Sequence, residues 1–457
     1  MNRFLITCVL MPILGGLPLW SQADNPGQDA PPENTVDHPE DRMQTPPPVT
    51  GANYPTGVTA QERKNYLGYG ISFTSAYSDN VQAGLSSHPI SDISYSVAPT
   101  IEIDTTTPRL HWMGSYSPGF TLYQRTSGLN KSDQNAVFDL KYRFSPHVSF
   151  SARDTLLKSS SVFNQPGFGT GVAISGGAQV PNFSVIAPLA DILTNTGSVD
   201  LSYQFALNGM IGASGTFTNL HYPNPSQVPG LSDSSSQGAS AFYSFRISKM
   251  HYIGVTYQYQ HLLSYPATGL NETQTHAVLL YYTFYPTTHF TMSFFGGPQH
   301  FDTVQPPIPL LNLQLPETSD WTPAAGGSLS WQGRLTNLGG SYSHVVAGSG
   351  GLFNAVHLDS ATSSFKRQIA KTLTGLVAGM YTQSKVLGSP QLTGFNGHSV
   401  SGTVSLNQSL LRQHLNIELG YTRMHQTYDG IPALAANPDT NREFISISCQ
   451  FSRPLGR

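Results

Sequence analysis

Side chains that could carry out catalysis are plentiful in this sequence, but their spacing does not predict an active site. A hydrolase needs a base, a nucleophile and an orienting group within hydrogen-bond reach, and 15 His among many Ser offer too many pairings to single one out. His261 shares one predicted strand face with Tyr257 and Tyr259, where an aromatic girdle is the simpler interpretation. The Gly-rich residues 167–171 precede no helical pattern, which favours a loop over a phosphate-binding cradle.

Other chemistries are equally unsupported by the sequence. The spacing of His and Cys matches no metal site, and no cofactor is indicated. Basic side chains do not alternate with aromatic ones as a nucleic-acid surface would require. We therefore expect a protein that is not an enzyme, holds no cofactor or metal and binds no nucleic acid.

Charged side chains also occur within segments in which apolar and polar residues alternate, and there they can act electrostatically on a solute. If those segments are strands around a channel, five basic and four acidic residues face the lumen or lie at its inner rim. They are Glu102, Asp139, Lys141, Arg143, Arg153, Asp200, Arg246, Arg334 and Glu418. Ser, Thr, Asn and Gln lie between them, so such a wall suits polar solutes or sugars, with a weak preference for anions at most.

The composition restricts the elements that could position these residues. Charged residues make up 11% of the 457 residues, whereas ordinary soluble domains have about 25%. The 22 Tyr, 23 Phe and 4 Trp are too many aromatic residues for a disordered chain. After residue 20 the sequence has no run of 18 apolar residues, which excludes a membrane-spanning helix. The remaining class is a membrane protein in which apolar residues recur every few positions and not in long runs.

Apolar and polar residues alternate from residue 66 onward. In residues 93–103, for example, Ile93, Tyr95 and Val97 are separated by Ser94 and Ser96. Strands send successive side chains to opposite faces, and segments of about ten alternating residues are typical of transmembrane β-barrels. The pattern predicts eighteen strands, of which 355–365 is the weakest because its two faces hardly differ: 68–78, 92–104, 110–123, 134–144, 148–157, 197–207, 210–221, 238–247, 252–263, 274–285, 289–296, 324–334, 338–347, 355–365, 370–383, 398–408, 414–425 and 442–452.

The connections distinguish a barrel from a soluble β-sandwich. Short joins such as 145–147 and 208–209 alternate with long ones such as 158–196 and 297–323. Outer-membrane barrels have short periplasmic turns and longer outer loops, whereas a sandwich has no reason for this alternation. The sequence therefore predicts an all-β, transmembrane antiparallel β-barrel of about 18 strands (16–18). An even number places both termini in the periplasm, and this size leaves a wet lumen.

The N-terminal residues are expected to lie outside the barrel. Residues 1–23 contain Arg3, an apolar run and Ser21-Gln22-Ala23, which is typical of a signal peptide cleaved after Ala23. Residues 24–65 are Pro-rich and acidic with few large apolar residues, so we expect a disordered periplasmic tail. Residues 66–457 form the barrel. Signal removal leaves Cys449 as the last cysteine, so the sequence offers no disulfide.

Charges are sorted between the two predicted ends of the barrel. The short turns and the C-terminus are basic, with Arg109, Lys141, Arg143, Arg246, Lys249, Arg334, Lys366, Arg367, Lys371, Arg412, Arg453 and Arg457, while most acids lie at the long-loop end. Three interpretations remain open. The basic inner rim could concentrate anionic solutes, it could hold the acidic tail 24–65 as a gate, or its charges could simply be solvated.

Two residues, Cys449 and Asp154, test which side of each predicted strand faces lipid. Cys449 shares the face of Ile445, Ile447 and Phe451 in the last strand, so we expect its side chain to face lipid. Asp154 falls on the lipid-facing side of its strand, where a charge costs roughly 2–4 kcal/mol at the membrane midplane. A β-bulge or an early strand end would remove this conflict.

Three short stretches carry a family resemblance. Residues 77–80 (Tyr-Ser-Asp-Asn), 92–99 (Asp-Ile-Ser-Tyr-Ser-Val-Ala-Pro) and 116–119 (Tyr-Ser-Pro-Gly) are similar to the opening strands of porin-like outer-membrane barrels associated with exopolysaccharide export. The resemblance covers residues 68–123 and implies a signal peptide, a large Tyr-rich barrel and a link to polysaccharide secretion. It implies no catalytic residue.

Taken together, the sequence predicts a porin-like channel of the bacterial outer membrane for polar solutes or an exported polysaccharide. The alternatives are a structural or adhesive surface barrel without transport and an outer-membrane barrel hydrolase. Expected partners are outer-membrane lipid and lipopolysaccharide, the barrel-assembly machinery and components of polysaccharide export.

Overall fold

The computed structural model describes residues 43, 65–81, 88–160, 191–224, 231–266, 269–287, 289–304, 317–348, 350, 355–387, 396–411, 414–428 and 439–455. The predicted signal peptide and, apart from Met43 and Asn65, the predicted tail lie outside these residues. Among the residues described, no helix is long and apolar enough to cross a membrane.

Eighteen β-strands make up almost all of the described chain. They are β1 (Tyr66–Ser78), β2 (Asp92–Thr106), β3 (Leu110–Tyr123), β4 (Lys131–Arg143), β5 (Val148–Ser159), β6 (Ile192–Ala206), β7 (Gly209–His221), β8 (Asp233–Arg246), β9 (His251–Tyr265), β10 (Asn271–Thr287), β11 (Phe290–Val304), β12 (Thr318–Gln332), β13 (Thr336–Gly348), β14 (Ala355–Gln368), β15 (Leu373–Val386), β16 (Asn396–Leu410), β17 (Leu415–Tyr428) and β18 (Asp439–Pro454). One 3-10 turn, Ser127–Leu129, lies between β3 and β4.

The strands form one closed antiparallel barrel. Each strand pairs with its neighbours in sequence, and β1 closes the ring by pairing with β18 from Tyr66↔Pro454 to Ser78↔Arg442. The predicted fold class and the strand number of eighteen are therefore confirmed. Closure satisfies the backbone donors and acceptors that a membrane would otherwise leave unpaired.

Several strands extend further toward the long loops than the sequence pattern predicts. Strand β6 begins at Ile192 and not at residue 197, and β11 continues to Val304, eight residues beyond the predicted end. Alternation is enforced only where one face contacts lipid. The backbone ladder continues beyond that zone, where polar and apolar residues are mixed on both faces and the pattern is lost.

Side chains sort by face as the alternation predicts. Tyr69, Ile71 and Phe73 of β1 project outward and are exposed, whereas Ser72 and Thr74 project inward. Cys449 pairs with Ile71 and shares its outward face, so the expected orientation of Cys449 is confirmed. The barrel thus has an apolar outer belt and a polar inner wall.

Asp154 corrects one detail of this interpretation. The β4–β5 ladder runs without a register shift from Gln134↔Lys158 to Arg143↔Ser149, and β5 continues to Ser159. The expected bulge or early strand end is therefore absent from β5. The carboxylate instead accepts a hydrogen bond from Asn195 Nδ2 at 2.9 Å, a polar partner on the outward face of β6.

Candidate solute pathway in the barrel lumen

The structure places eight of the nine predicted charged residues on the inward face of a strand. Glu102, Asp139, Lys141, Arg143, Arg153, Asp200, Arg246 and Glu418 alternate with the outward apolar residues of β2, β4, β5, β6, β8 and β17. Arg334 is exposed in the turn after β12, because that strand ends at Gln332. This residue therefore belongs to the rim, and the predicted strand end at 334 is two residues too late.

A charged strip runs along the inner wall from β4 to β6. Asp139 lies directly opposite Arg153, and Lys141 lies opposite Ser151. The Ser151 hydroxyl donates to Asp200 Oδ2 at 3.3 Å. Within the described chain, Arg153 Nε and Nη2 and Asp139 Oδ1 make no hydrogen bond although they are shielded from bulk solvent. Buried polar groups are normally satisfied by protein or water, so we expect bound water to satisfy these atoms.

The charged strip continues onto β2 and β3. Tyr66 Oη donates to Glu102 Oε1 at 2.7 Å, and His111 Nε2 lies 3.4 Å from Asp104 Oδ2. Acidic and basic side chains therefore alternate over neighbouring strands in the half of the lumen near the short turns. A mixed strip of this kind attracts polar solutes without strongly rejecting either sign of charge.

Two of the predicted charges have mainly structural partners. Arg246 is 6% exposed, and its Nε and Nη2 donate to Asn208 Oδ1 at 3.1 Å and to the Leu207 carbonyl at 2.8 Å. It therefore holds the β6–β7 turn against the end of β8. Glu418 is 4% exposed on the inner face of β17, opposite Asn407 and Ser446 on the neighbouring strands.

The opposite wall of the lumen, from β7 to β11, is polar, and Arg246 at the end of β8 is the one charged side chain on its described inward face. The hydroxyls of Ser214 and Ser240 are hydrogen-bonded at 2.6 Å, and Gln258, Thr275 and Gln299 line the same region. Together with Val345, Val346 and Ala347 of β13, these residues line a small cavity of about 50 Å³. Hydroxyl and amide groups offer both donors and acceptors, so this wall can bind an uncharged hydroxylated solute.

An apolar hairpin narrows the lumen from the long-loop end. The β12–β13 ladder ends at Ala325↔His344, although β13 and β14 remain paired up to Gly348↔Ala355. Val345, Ala347, Val356 and Leu358 of this inner hairpin pack against inward side chains of β10 and β11, among them Leu279, Tyr281 and Phe295. The upper part of β13 has therefore separated from β12, and it bends into the barrel together with β14, which stays paired to β15 up to Val356↔Val386.

Two further contacts hold this inner hairpin across the opening. Val346 packs with Leu262 of β9 and Phe301 of β11. The Tyr222 hydroxyl, just beyond β7, donates to the Gly350 carbonyl between β13 and β14. The hairpin thus reaches from the β13 side of the barrel to the β7 side. Sequence analysis missed it, and the weak alternation of 355–365 was the one signal that pointed to it.

A small apolar socket lies at the short-turn end of the lumen. Met43 is 6% exposed and packs with Met210 and Tyr252, against which Phe242 and Tyr285 also pack. The Met43 amide donates to Gln204 Oε1 at 3.1 Å. One residue of the chain N-terminal to the barrel is therefore docked between inward-facing side chains of β6 to β10.

The described inner surface has three chemically distinct regions. In the portion of the chain that the structure describes, no three His, Cys, Asp or Glu side chains are grouped so as to hold a metal ion. The lumen instead combines a charged strip, a mostly neutral polar wall and an apolar constriction.

Comparisons with known proteins add structural similarities only. The chain matches no protein-family model and no curated protein sequence. It is similar to solved outer-membrane proteins: Acinetobacter baumannii OccAB4, at 10% identity over 86% of this chain and 99% of that chain with a TM-score of 0.40; Pseudomonas aeruginosa OccK2 (OpdF), at 10% over 86% and 98% with 0.43; and the ferric citrate transporter FecA, at 10% over 84% and 78% with 0.41.

Proposed function

We propose that this protein is a channel of the bacterial outer membrane through which polar solutes diffuse. The observation that carries the proposal is the sorting of side chains in a closed ring, with an apolar belt outside and polar groups facing a lumen inside. Eighteen strands enclose an interior wider than side chains alone fill. The alternation of short turns and long connections supports insertion with the short turns in the periplasm.

The lumen supports a preference for neutral or zwitterionic polar solutes. The strip on β2 to β6 carries both signs of charge, so a solute of either sign meets attraction and repulsion together. The wall of Ser, Thr and Gln on β7 to β11 offers hydrogen bonds to hydroxyl groups. An exported polysaccharide chain is the finer proposal, supported by this wall and by the resemblance of residues 68–123 to barrels associated with exopolysaccharide export.

The same proposal extends to partners. A barrel of this kind contacts outer-membrane lipid and lipopolysaccharide and requires the barrel-assembly machinery, which often recognises a terminal aromatic such as Phe451. Components of polysaccharide export would be partners if the solute is a polysaccharide. The Phe451 ring stacks on Tyr69 with centroids 5.7 Å apart, which places the terminal aromatic on the closing β1–β18 seam.

Conductance of the purified full-length protein in a planar bilayer tests the channel. We expect discrete open levels in salt solution that fall when a neutral oligosaccharide is added, because a solute that enters the lumen displaces ions. A folded barrel that inserts without conducting would refute the channel and favour a structural or adhesive barrel. Open levels unaffected by the oligosaccharide would refute the polysaccharide proposal alone.

A further inference from the structure

Histidines are concentrated on the outward face of the barrel near its long-loop end. Of the fourteen His that the structure describes, seven lie there, on strands β7, β9, β10, β11, β13, β16 and β17. We call these seven residues the histidine collar: His221, His261, His276, His300, His344, His398 and His425. The strand register places them on the face that carries the lipid-facing aromatic and aliphatic side chains.

Most of the collar histidines contact a carboxylate on the same outward face. The pairs are His221 with Asp233 at 2.7 Å, His261 with Glu272 at 2.8 Å, His344 with Asp359 at 2.8 Å, His425 with Asp439 at 3.2 Å and His300 with Asp302 at 3.4 Å. These pairs are partly exposed, so they are accessible to molecules beside the barrel.

The remaining collar histidines have neutral partners. His276 Nδ1 lies 2.8 Å from Tyr257 Oη, and His398 Nδ1 lies 2.8 Å from Thr427 Oγ1. His357 of β14 is not a member of the collar, because its ring packs on Phe301, an inward side chain of β11, with centroids 5.8 Å apart. The seven collar rings are therefore held at defined positions on the outer surface.

The collar lies at the edge of the apolar belt. On β16, His398 comes first, and the outward residues that follow toward the short turn include Val400, Val404 and Leu406. On β11, the His300 ring packs against Trp321 of β12 in a tilted arrangement, with ring centroids 4.8 Å apart. Aromatic girdles mark the height at which hydrocarbon gives way to lipid headgroups, so the collar lies at the level of the headgroups.

The charge of this band depends on the histidines. Besides the five paired carboxylates, its outward face on the long-loop half of the strands carries Asp154 and Glu443 as acids and Lys158, Lys385 and Arg423 as bases. Seven acids against three bases leave a charge of −4 with neutral imidazoles, and seven protonated imidazoles change it to +3. Imidazole changes its charge between about pH 5 and 8, so mild acidification reverses the sign of the band.

We propose that the histidine collar binds the phosphate groups of outer-leaflet glycolipids when its imidazoles are protonated. The inference rests on the proposed location in the outer membrane with the long loops outside. Phosphate fits the site because a protonated imidazole offers charge and an N–H donor. The three fixed bases of the band are too few to attract phosphates against seven acids, so attraction appears only as the pH falls.

Binding of lipid A to the purified full-length protein in uncharged detergent tests this proposal. Diphosphorylated lipid A and its dephosphorylated form are titrated at about pH 5.5 and 7.5 with EDTA present. We expect the diphosphorylated form to bind at least about tenfold more tightly at the lower pH, because each cation near an anionic lipid surface contributes severalfold in affinity. The dephosphorylated form should show little change.

Matched histidine variants locate the effect. The combined variant His221→Gln, His300→Gln and His425→Gln removes three collar imidazoles, and His147→Gln, His289→Gln and His414→Gln removes three at the short-turn end. The first should lose most of the pH dependence and the second should keep it, with circular dichroism showing that both are folded. The wild-type comparison stands by itself if a variant does not fold.

Three results would overturn the collar proposal. They are equal affinity at both pH values, equal binding of the two lipid A forms, and full pH dependence in the collar variant. Binding abolished by EDTA would also overturn it, because divalent cations would then bridge the carboxylates to the phosphates. Conductance in a planar bilayer separates this failure from failure of the channel, since a non-conducting barrel with pH-dependent lipid binding supports the collar and refutes the channel.

Discussion

Truncation of Leu358 should release the inner hairpin and widen the channel. Leu358 is fully buried in the cluster that joins β13 and β14 to the inner faces of β10 and β11. Replacing a buried Leu by Ala costs about 2–5 kcal/mol. If that packing holds the hairpin across the lumen, Leu358→Ala raises the population of the released hairpin by about 30-fold to several thousand-fold, at about 1.4 kcal/mol per factor of ten.

Single-channel recording in a planar bilayer is the assay. We expect Leu358→Ala to show a higher mean conductance with more frequent transitions than the wild type. Leu406→Ala is the matched control, because Leu406 is 46% exposed on the outward face of β16 and does not contact the hairpin cluster. Its conductance should equal that of the wild type.

Thermal unfolding of both variants completes the experiment. A lower unfolding midpoint for Leu358→Ala together with wild-type conductance would refute the reasoning. In that case the leucine stabilises the barrel, but the hairpin does not restrict the pathway. A change in conductance in Leu406→Ala of the same size would show that the assay responds to membrane packing and not to the lumen.

Three further predictions follow from the lumen. Asp139→Asn should lower the unfolding free energy by about 1–3 kcal/mol, because Arg153 loses the carboxylate opposite it, and the double variant with Arg153→Gln should recover part of that loss in urea unfolding. Arg143→Glu with Arg334→Glu should lower the anion-to-cation permeability ratio in reversal-potential measurements; an unchanged ratio would show that these rim charges are only solvated. Deleting residues 24–65 should raise conductance because it removes Met43 from its socket at the short-turn end of the lumen, and unaltered conductance would exclude gating by that segment.

The barrel was predictable because lipid enforces a strict two-residue period. Wherever a strand crosses the apolar belt, as at Tyr69, Ile71 and Phe73, a polar residue on the outward face is costly, so the alternation is strong and the strand count follows from it. Beyond the belt the constraint disappears, and the outer extensions of β6 and β11 could not be predicted.

The inner hairpin illustrates why the constriction was not predictable. Val345, Val346 and Ala347 are consecutive apolar residues, which pack on two sides at once inside the lumen. Such packing depends on residues of β9 to β12 far away in sequence. The sequence shows only a loss of alternation around 355–365, and that signal has several structural causes.

For the nine predicted charged residues, the sequence predicted which face of the strand they occupy but not which partners they have. Alternation placed eight on the inward face, but it could not distinguish Arg153, whose Nε and Nη2 make no hydrogen bond within the described chain, from Arg246, which is bonded to the β6–β7 turn. The histidine collar also escaped prediction, because its members are far apart in sequence and become one band only when eighteen strands are aligned side by side.

The early end of the β12–β13 ladder has a consequence for how the cylinder opens under stress. That joint has eight residue pairs, from Ala325↔His344 to Gln332↔Asn337, whereas the joint between the first and last strands has thirteen. Pro323, just above the last pair, has no amide hydrogen with which to extend it. Amide exchange and mechanical rupture should therefore start between β12 and β13 and spare the joint between the first and last strands.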